Sequence, residues 1–373
     1  MSLQRVAVVA GARTPFVKSD GAFAPLGPLS MATHVVRGVL SRAGIDPAAI
    51  DTLVAGVVLP EPGMPNLARE VVFAADLPRR VEGHTVTSYC ISGLRAVSAV
   101  AEAIATGRAG AGIAVGTEWL SGRDANTFRE PTTRLTMGEH MELVCRDWPL
   151  PRERQDELAL ASHRKACASR GLLTGEILPL AGVEHDTCPR PDTSLDALAA
   201  LPPAFDPQGS VTAGNASPIT DGAAAVVLMS EERARAEGLE PLAFVGAIEY
   251  GAIDPADGLL MAPAVVVPRL LGRTGRRLAD FDRIEIHEAF AAQVMANAMA
   301  LEQGWRGAPT GDVDWQRVNV HGSSIALGHP WSATGARIVS GLAAELKRSA
   351  ARRGLISVCA AGAMAGAMIL EGA

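Results

Sequence analysis

The sequence predicts an α/β fold that consists of two similar halves, with a loop-rich lobe inserted in the chain. Three observations predict this fold: a helix–strand pattern that occurs twice, a middle segment rich in proline, and an aliphatic composition. Hydrophobic residues make up 48% of the 373 residues and aromatic residues only 4%, so the chain can bury a large aliphatic core. A chain of this length is expected to form two or three packing units.

The repeated pattern appears when 231 is added to the numbers of an early segment. In both copies an apolar helical stripe ends near a glycine, a turn follows, and an aspartate opens a strand. The early positions and their later counterparts are Val36, Leu40, Gly44, Ile50, Asp51, Leu53 and Val267, Leu271, Gly275, Phe281, Asp282, Ile284. A further helix and strand repeat at an offset of 243, from Ile113 to Ile356. We interpret this as a duplicated domain; chance similarity of amphipathic segments is the alternative.

The first half, expected at residues 1–118 and 220–242, begins with a buried strand at 6–9 that is too short for a secretory leader. Its helix face at 91–104 leads to a strand at 112–116. A strand rich in Ala and Val at 223–229 then follows the inserted lobe.

The inserted loop domain is expected at residues 119–219, where helix 153–170 is the one helix that the pattern predicts. The segment is punctuated by Pro131, Pro149, Pro151, Pro179, Pro189, Pro191, Pro202, Pro203 and Pro207. The second half is expected at 243–373. It contains predicted strands at 283–286 and 355–358 and predicted helices at 290–300 and 333–350.

Composition and charge exclude several classes of protein. Lys and Arg number 34 against 40 Asp and Glu, a net charge of -6 without the basic excess of a nucleic-acid surface. No apolar run reaches about 18 residues, so we expect no membrane span. Five scattered cysteines without a CxxC motif indicate reduced thiols in the cytoplasm.

Cys90 is the first candidate for chemistry, because it lies between a polar-apolar stretch and a helix that starts at about Ser92. At such a turn the unpaired N–H groups of the helix stabilise an anion and lower the pKa of a thiol. Cys90 is therefore a candidate thiolate nucleophile. The alternative is a small, buried, unreactive side chain.

His329 is the second candidate. Pro330 keeps it out of the helical region, and Ser332 or Thr334 can cap the helix that follows. A neutral imidazole is favoured near that positive helix end, as a general base requires. A loop histidine bonded to backbone is the alternative.

Two further strand ends carry reactive side chains. Cys359 opens a turn of small residues in which backbone N–H groups can approach a ligand, and its thiol could move a proton to or from carbon or simply pack in the core. His287 and Glu288 are adjacent, but the sequence lacks the spaced third and fourth ligands of a metal site. A hydrogen-bonding role is the better interpretation, with Glu288 capping or orienting its neighbours.

Four motifs together resemble those of thiolases, in the same order along nearly the whole chain. They are C-I-S-G-L-R-A from Cys90, H-E-A-F-A from His287, G-H-P with A-T-G-A-R from Gly328, and C-A-A-G from Cys359. The segments L-L-M-A-P from Leu259 and P-N-L-A-R-E from Pro65 resemble the β-subunit type of trifunctional fatty-acid oxidation complexes.

The resemblance implies duplicated α/β halves in a layered α-β-α-β-α arrangement, an inserted domain that holds coenzyme A, and at least a dimer. It implies thiolytic cleavage of 3-ketoacyl-CoA by CoA to acetyl-CoA and a shortened acyl-CoA, in fatty-acid degradation. CoA is then a substrate, and no cofactor or metal is expected.

In the mechanism that the resemblance implies, neutral His329 deprotonates Cys90, whose thiolate attacks the 3-oxo carbon to leave an acyl-enzyme and an acetyl-CoA enolate. Cys359 protonates that enolate and later takes a proton from the incoming CoA. His329, with His287 or a water bound to it, holds the enolate oxygen. The backbone N–H groups of Cys90 and Ala361 hold the acyl-enzyme oxygen.

Ser217, Met137 and Leu259 are expected to contact the substrate or its CoA portion, and Glu288 to support the site from behind. The chain departs from the family where Ala363 stands in place of a glycine. The segment 120–136 is far shorter than in the trifunctional type, which argues against docking to a membrane or to a hydratase-dehydrogenase partner.

Two other functions stay open. One is a biosynthetic acetyl-CoA acetyltransferase that makes acetoacetyl-CoA. The other is a thiolase-like acyl-CoA binder without catalysis, against which the presence of Cys90, Cys359 and His329 argues. We expect a cytoplasmic homodimer or homotetramer that acts on CoA thioesters.

Overall fold

The computed structural model describes residues 3–124 and 128–373, so residues 125–127 of the short segment 120–136 lie outside the described residues. The strands are β1 (Val6–Arg13), β2 (Val17–Lys18), β3 (Thr52–Gly56), β4 (Glu82–Val86), β5 (Ala111–Glu118), β6 (Thr220–Ser230), β7 (Ala243–Ala252), β8 (Arg283–Ile286), β9 (Arg353–Ala360) and β10 (Met364–Gly372). Their hydrogen-bonded order is β4-β3-β5-β6-β1-β7-β10-β9-β8, and β2 pairs with β6. Antiparallel pairing of β1 with β7 joins the two halves.

Helices cover the faces of these strands. They are α1 (Gly27–Ala43), α2 (Leu67–Ala74), α3 (Ser92–Ala105), α4 (Met137–Asp147), α5 (Arg152–Ala168), α6 (Arg170–Glu176), α7 (Leu195–Ala199), α8 (Glu231–Ala236), α9 (Pro263–Thr274), α10 (Ala291–Gln303), α11 (Ser324–Leu327) and α12 (Trp331–Ser349). None of the helices described is both long enough and apolar enough to cross a bilayer.

The duplication at an offset of 231 is confirmed by the ends of α1 and α9. Gly44 and Gly275 cap these helices in the left-handed conformation, with φ of 66° and 65°. A glycine is favoured there because it has no Cβ to clash with the backbone. Short 3₁₀ helices at Pro47–Ala49 and Leu278–Asp280 then lead into β3 and β8.

The predicted α-β-α-β-α layering is present as three hydrophobic cores. The first lies between α1, α2 and one face of the first-half strands; the second surrounds α3 and α12; the third packs α9 and α10 against the second-half strands. Because successive strand residues point to opposite faces, Ala223 and Ala225 enter the first core while Ala224 and Val226 enter the second.

The lobe contains more helix than the sequence pattern predicted. Helices α4, α5, α6 and α7 all lie within it, so the expectation of one helix was wrong. The short helix α4 is set by a capping box, in which Thr136 and Glu139 satisfy each other's backbone N–H groups. Caps of this kind stabilise helices that are too short to show a clear apolar period.

The two central helices cross closely at a pair of glycines. A Cβ on Gly93 of α3 would lie 2.1 Å from the carbonyl oxygen of Ser332, and one on Gly335 of α12 would lie 2.4 Å from the backbone nitrogen of Leu94. The close crossing therefore requires glycine, which has no Cβ, at both positions. It brings together the N-termini of the helices that follow Cys90 and His329.

We predict that Gly93→Ala lowers the free energy of unfolding by about 1–3 kcal/mol, because the added methyl group overpacks this crossing. The matched control is Gly272→Ala in α9, where an added Cβ would have no described neighbour within 4 Å. This control should gain about 0.5–1 kcal/mol from the removal of a helical glycine. Chemical denaturation of both variants measures the difference, and equal effects would contradict the close crossing.

Candidate active site

A 3₁₀ turn at Tyr89–Ile91 places Cys90 just ahead of α3. Tyr89 has a φ of 49°, a left-handed backbone conformation that residues other than glycine rarely adopt. Ser92 holds the turn, because its hydroxyl accepts from the N–H of Ser88 (2.8 Å) and donates to the carbonyl oxygen of Tyr89 (2.6 Å). The sulfur is therefore held in a fixed position.

Cys90 and His329 are in direct contact although 239 positions separate them in the chain. The Cys90 sulfur lies 3.2 Å from Nε2 of His329, and Nδ1 of His329 lies 2.7 Å from Oγ1 of Thr334. With Nδ1–H donating to the Thr334 hydroxyl, Nε2 is free to accept the thiol proton.

The prediction that Ser332 or Thr334 caps the helix after His329 was wrong. The N-cap residue of α12 is Pro330, without a side-chain cap. Thr334 bonds the imidazole of His329, and the hydroxyl of Ser332 donates to the carbonyl oxygen of Thr117 (2.6 Å). Each hydroxyl has a different hydrogen-bond partner, so neither satisfies the free N–H groups at the start of the helix.

His287 lies beside His329, with ring centroids 4.2 Å apart. Nδ1 of His287 lies 2.8 Å from Oγ of Ser324, while its buried Nε2 has no hydrogen-bond partner among the described residues. One nitrogen of each imidazole and the Cys90 sulfur lie within 4.8 Å of one another. The site therefore brings together two histidines and a cysteine from three separate segments.

Cys359 lies near the end of β9 and lines the same cavity as Cys90 and His329. The backbone N–H groups of Ala361 and of Cys90 itself act to lower the pKa of the Cys90 thiol. Both are therefore placed to stabilise negative charge at this residue.

The pKa values of the site follow from burial. Burial raises the pKa of Cys90 to about 12, and the N–H of Ala361 opposes this only in part, so the expected lowering by the helix N-terminus was wrong. Burial and then Arg337 lower the pKa of His329 to about 3. The pKa of His287 is also lowered, by burial and then by His329. The resting pair is a neutral thiol beside a neutral imidazole.

A buried polar network lies behind the two histidines. Glu288 accepts hydrogen bonds from Ser162 (2.7 Å), from the side chain of Asn319 (2.8 Å) and from the N–H of Ile325 (3.2 Å). It therefore anchors the segment that carries Ser324, the partner of His287. The resemblance gave no partner for His287, and no sequence signal singled out Ser324.

A cavity of about 450 Å³ opens onto the Cys90 sulfur. Met137 and Ser217 line it, but Leu259 does not: Leu259 is fully buried, and its neighbour Leu260 faces the cavity instead. Adjacent residues in this turn point to different sides, and the motif alone could not choose between them.

Aromatic side chains contribute to the cavity wall, and no sequence motif indicated them. Although the chain has only 8 Phe, 5 Trp and 2 Tyr, the wall includes Tyr89, Phe128, Phe205, Phe290 and Trp331. Phe205 and Phe290 pack edge to face, as do Tyr89 and Phe128. These residues are scattered along the chain, so only folding brings them together.

Comparison with known proteins finds similarity over nearly the whole chain. The protein-family model described as "Thiolase, N-terminal domain" matches residues 6–137 and 125–232. The family model described as "Thiolase, C-terminal domain" matches residues 239–372. The 3-ketoacyl-CoA thiolase of Serratia proteamaculans is 37% identical, over 98% of this chain and 97% of that protein. The 3-ketoacyl-CoA thiolase of Shewanella sp. (strain W3-18-1) is 36% identical, over 99% of this chain and 97% of that protein.

Two solved structures are similar over their full length. The acetyl-CoA acetyltransferase of Bacillus anthracis superposes with a TM-score of 0.93 at 32% sequence identity. The acetyl-CoA acetyltransferase of Syntrophomonas wolfei superposes with a TM-score of 0.93 at 31% sequence identity. Each comparison covers 100% of both chains.

We predict that Ala363→Gly raises the free energy of unfolding by about 1 kcal/mol, because Ala363 has a φ of 52° in the turn after β9. Ala99→Gly, in the right-handed helix α3, should lower it by about the same amount. Thermal unfolding measures both. Destabilisation by Ala363→Gly would show that the left-handed turn is not strained.

Proposed function

The chain belongs to the thiolase family, and from this premise we propose that it cleaves 3-ketoacyl-CoA with CoA through an acyl-enzyme on Cys90. The observation that carries the proposal is the 3.2 Å contact between the Cys90 sulfur and Nε2 of His329, at a cavity that Cys359 also lines. The products are acetyl-CoA and a shortened acyl-CoA, as in the degradation of fatty acids.

In the first half-reaction, the thiol proton of Cys90 passes to Nε2 of His329 while the sulfur attacks the 3-oxo carbon. The bond between C2 and C3 breaks, which leaves an acyl group on Cys90 and an acetyl-CoA enolate. The Cys359 thiol gives its proton to C2 of that enolate. His329 is now protonated and Cys359 is a thiolate.

In the second half-reaction, the Cys359 thiolate takes the proton of the incoming CoA thiol. The CoA sulfur attacks the acyl-enzyme carbonyl, and the Cys90 sulfur leaves as a thiolate. That thiolate takes back the proton held by His329, so both cysteines and the histidine return to their resting states.

Burial decides when charge is formed. With the pKa of the Cys90 thiol raised to about 12 and that of His329 lowered to about 3, an ion pair is unfavourable before substrate binds. Proton transfer is therefore coupled to attack on the carbonyl. The N–H groups of Cys90 and Ala361 are then available to the oxyanion, and one such donor is typically worth about 3 kcal/mol.

His287 is proposed to hold the enolate oxygen together with His329. Arg337 donates to Oγ of Ser324 (3.3 Å), which leaves the Ser324 hydroxyl proton for Nδ1 of His287 (2.8 Å). In that tautomer Nε2 of His287 carries a proton, and it has no protein acceptor among the described residues. A substrate oxygen would supply that acceptor.

We propose further that Met137 and Ser217 contact the CoA portion of the substrate, since both line the cavity. Coenzyme A acts as a substrate, and the proposed steps use no metal or prosthetic group. A homodimer or homotetramer in the cytoplasm is proposed. Five free cysteines, all within the described residues, are consistent with a reducing compartment.

The second candidate function is a biosynthetic acetyl-CoA acetyltransferase, which is the activity of the two similar solved proteins by name. The two functions differ in the acyl chain that they accept. Comparing turnover of acetoacetyl-CoA with that of a ten-carbon 3-ketoacyl-CoA separates them. Exclusive use of the short substrate would favour the acetyltransferase.

We predict a covalent adduct on Cys90 when the protein is mixed with a 3-ketoacyl-CoA and free CoA is withheld. Intact-mass spectrometry should show an increase equal to the shortened acyl group, because deacylation needs the CoA thiol. Adding CoA should remove it. Cys90→Ala should show no adduct; an acylated Cys90→Ala protein, or no adduct on the unaltered chain, would refute the proposed nucleophile.

We predict that Thr334→Val lowers kcat by about tenfold or more with little change in KM, because His329 loses the hydroxyl that orients its ring. Thr334→Ser keeps a hydroxyl and should retain most of the activity. The matched control is Thr33→Val, since the buried hydroxyl of Thr33 has no hydrogen-bond partner among the described residues. Steady-state kinetics of the three variants make the comparison, and a raised KM at unchanged kcat for Thr334→Val would contradict a positioning role.

A further inference from the structure

The three side chains that carry the proposed reaction, Cys90, His287 and His329, also bring together the ligand atoms of a metal site. The Cys90 sulfur and one nitrogen of each of His287 and His329 lie within 4.8 Å of one another. Both Nδ1 atoms already have hydroxyl partners, Ser324 and Thr334, so the nitrogens left over are the two Nε2 atoms. Nε2 of His287 is buried without a hydrogen-bond partner among the described residues.

This geometry suits a tetrahedral ion of intermediate softness. Zinc binds sulfur at about 2.3 Å and imidazole nitrogen at about 2.0–2.1 Å, which places a sulfur and a nitrogen ligand about 3.5 Å apart. The sulfur of Cys90 and Nε2 of His329 are 3.2 Å apart, close to that value. One thiolate and two imidazoles favour Zn²⁺ or Co²⁺ over Mg²⁺ and Ca²⁺, which prefer oxygen ligands.

The tautomers of the two histidines allow such binding. In the proposed reaction Nε2 of His287 carries the proton, so metal binding requires the other tautomer of this ring. In that tautomer Nδ1–H donates to the Ser324 oxygen, which leaves a lone pair on Nε2. His329 already has its Nε2 lone pair free when Nδ1 donates to Thr334. The hydroxyl partners therefore hold both rings in place, and the Nε2 atom of each ring is left to bind the ion.

We propose that Cys90, His287 and His329 form a binding site for one zinc ion, and that an occupied site cannot carry out acyl transfer. On binding, the S–H bond of Cys90 breaks, a sulfur–zinc bond forms, and the proton leaves to solvent; no group is oxidised or reduced. Water or a substrate thiol would supply the fourth ligand. The ion holds the sulfur that would attack the substrate, so zinc is a reversible inhibitor.

The sequence could not supply this site, because its three ligands come from segments far apart in the chain. His287 followed by Glu288 suggested a metal, but the further ligands were absent from that neighbourhood. Folding supplies them from the turn before α3 and from the residue before Pro330. Glu288 itself is bonded to Ser162 and Asn319 and is not one of the ligands.

The test uses Co²⁺ as a spectroscopic probe on the full-length, metal-free protein. We expect one Co²⁺ per chain, with a sulfur-to-cobalt charge-transfer band in the near ultraviolet, and loss of that band when Zn²⁺ is added. Mg²⁺ should leave it unchanged. Cys90→Ala should remove the band, and His287→Asn should weaken binding by about 100-fold, because removing a ligand costs at least as much as removing a group that supports one.

The control variant is Cys167→Ser, which removes a partly buried thiol outside the site. It should bind Co²⁺ like the unaltered chain. The inference is overturned if the unaltered chain shows no band, if Cys90→Ala keeps it, if Cys167→Ser loses it, or if His287→Asn binds as tightly. Circular dichroism verifies folding, and Cys90→Ser replaces Cys90→Ala if that variant is unfolded. Metal binding is read without turnover, so its outcome does not depend on whether thiolysis occurs.

Discussion

The close crossing of α3 and α12 is the constraint on which the site depends. Gly93 and Gly335 let the two helices approach until an added Cβ would overlap backbone atoms. The segments just ahead of these helices carry Cys90 and His329, so the same contact that closes the central core sets the distance between sulfur and imidazole. Close packing at two glycines thus brings together residues that lie 239 positions apart in the chain.

Burial gives the site its chemical character. It raises the pKa of the Cys90 thiol and lowers the pKa of both histidines, so the resting site holds no thiolate–imidazolium pair. Behind the site, Glu288 is paired with Ser162 and Asn319, which helps to keep the rings in place. Charge is then created only when a substrate oxygen can share it with backbone N–H groups.

The same features explain why a reactive site is also a potential metal site. A general base needs a neutral imidazole with a free nitrogen, and a nucleophile needs an accessible sulfur. Those are also the requirements of a zinc ligand. His287 adds the third ligand atom, since its Nε2 is left without a described partner. Bound CoA thioester and bound metal would compete for these atoms.

The sequence by itself determined the duplicated layering and the residue types of the site. Apolar periodicity and glycine caps are local features, as Gly44 and Gly275 illustrate, and short motifs drew attention to Cys90, His329 and Cys359. The tertiary structure decided what depends on distant neighbours. It determined that the pKa of the Cys90 thiol is raised, that Thr334 pairs with an imidazole, and that Leu260 instead of Leu259 lines the cavity. Desolvation and hydrogen bonding are set by surrounding atoms, and most of those atoms belong to other parts of the chain.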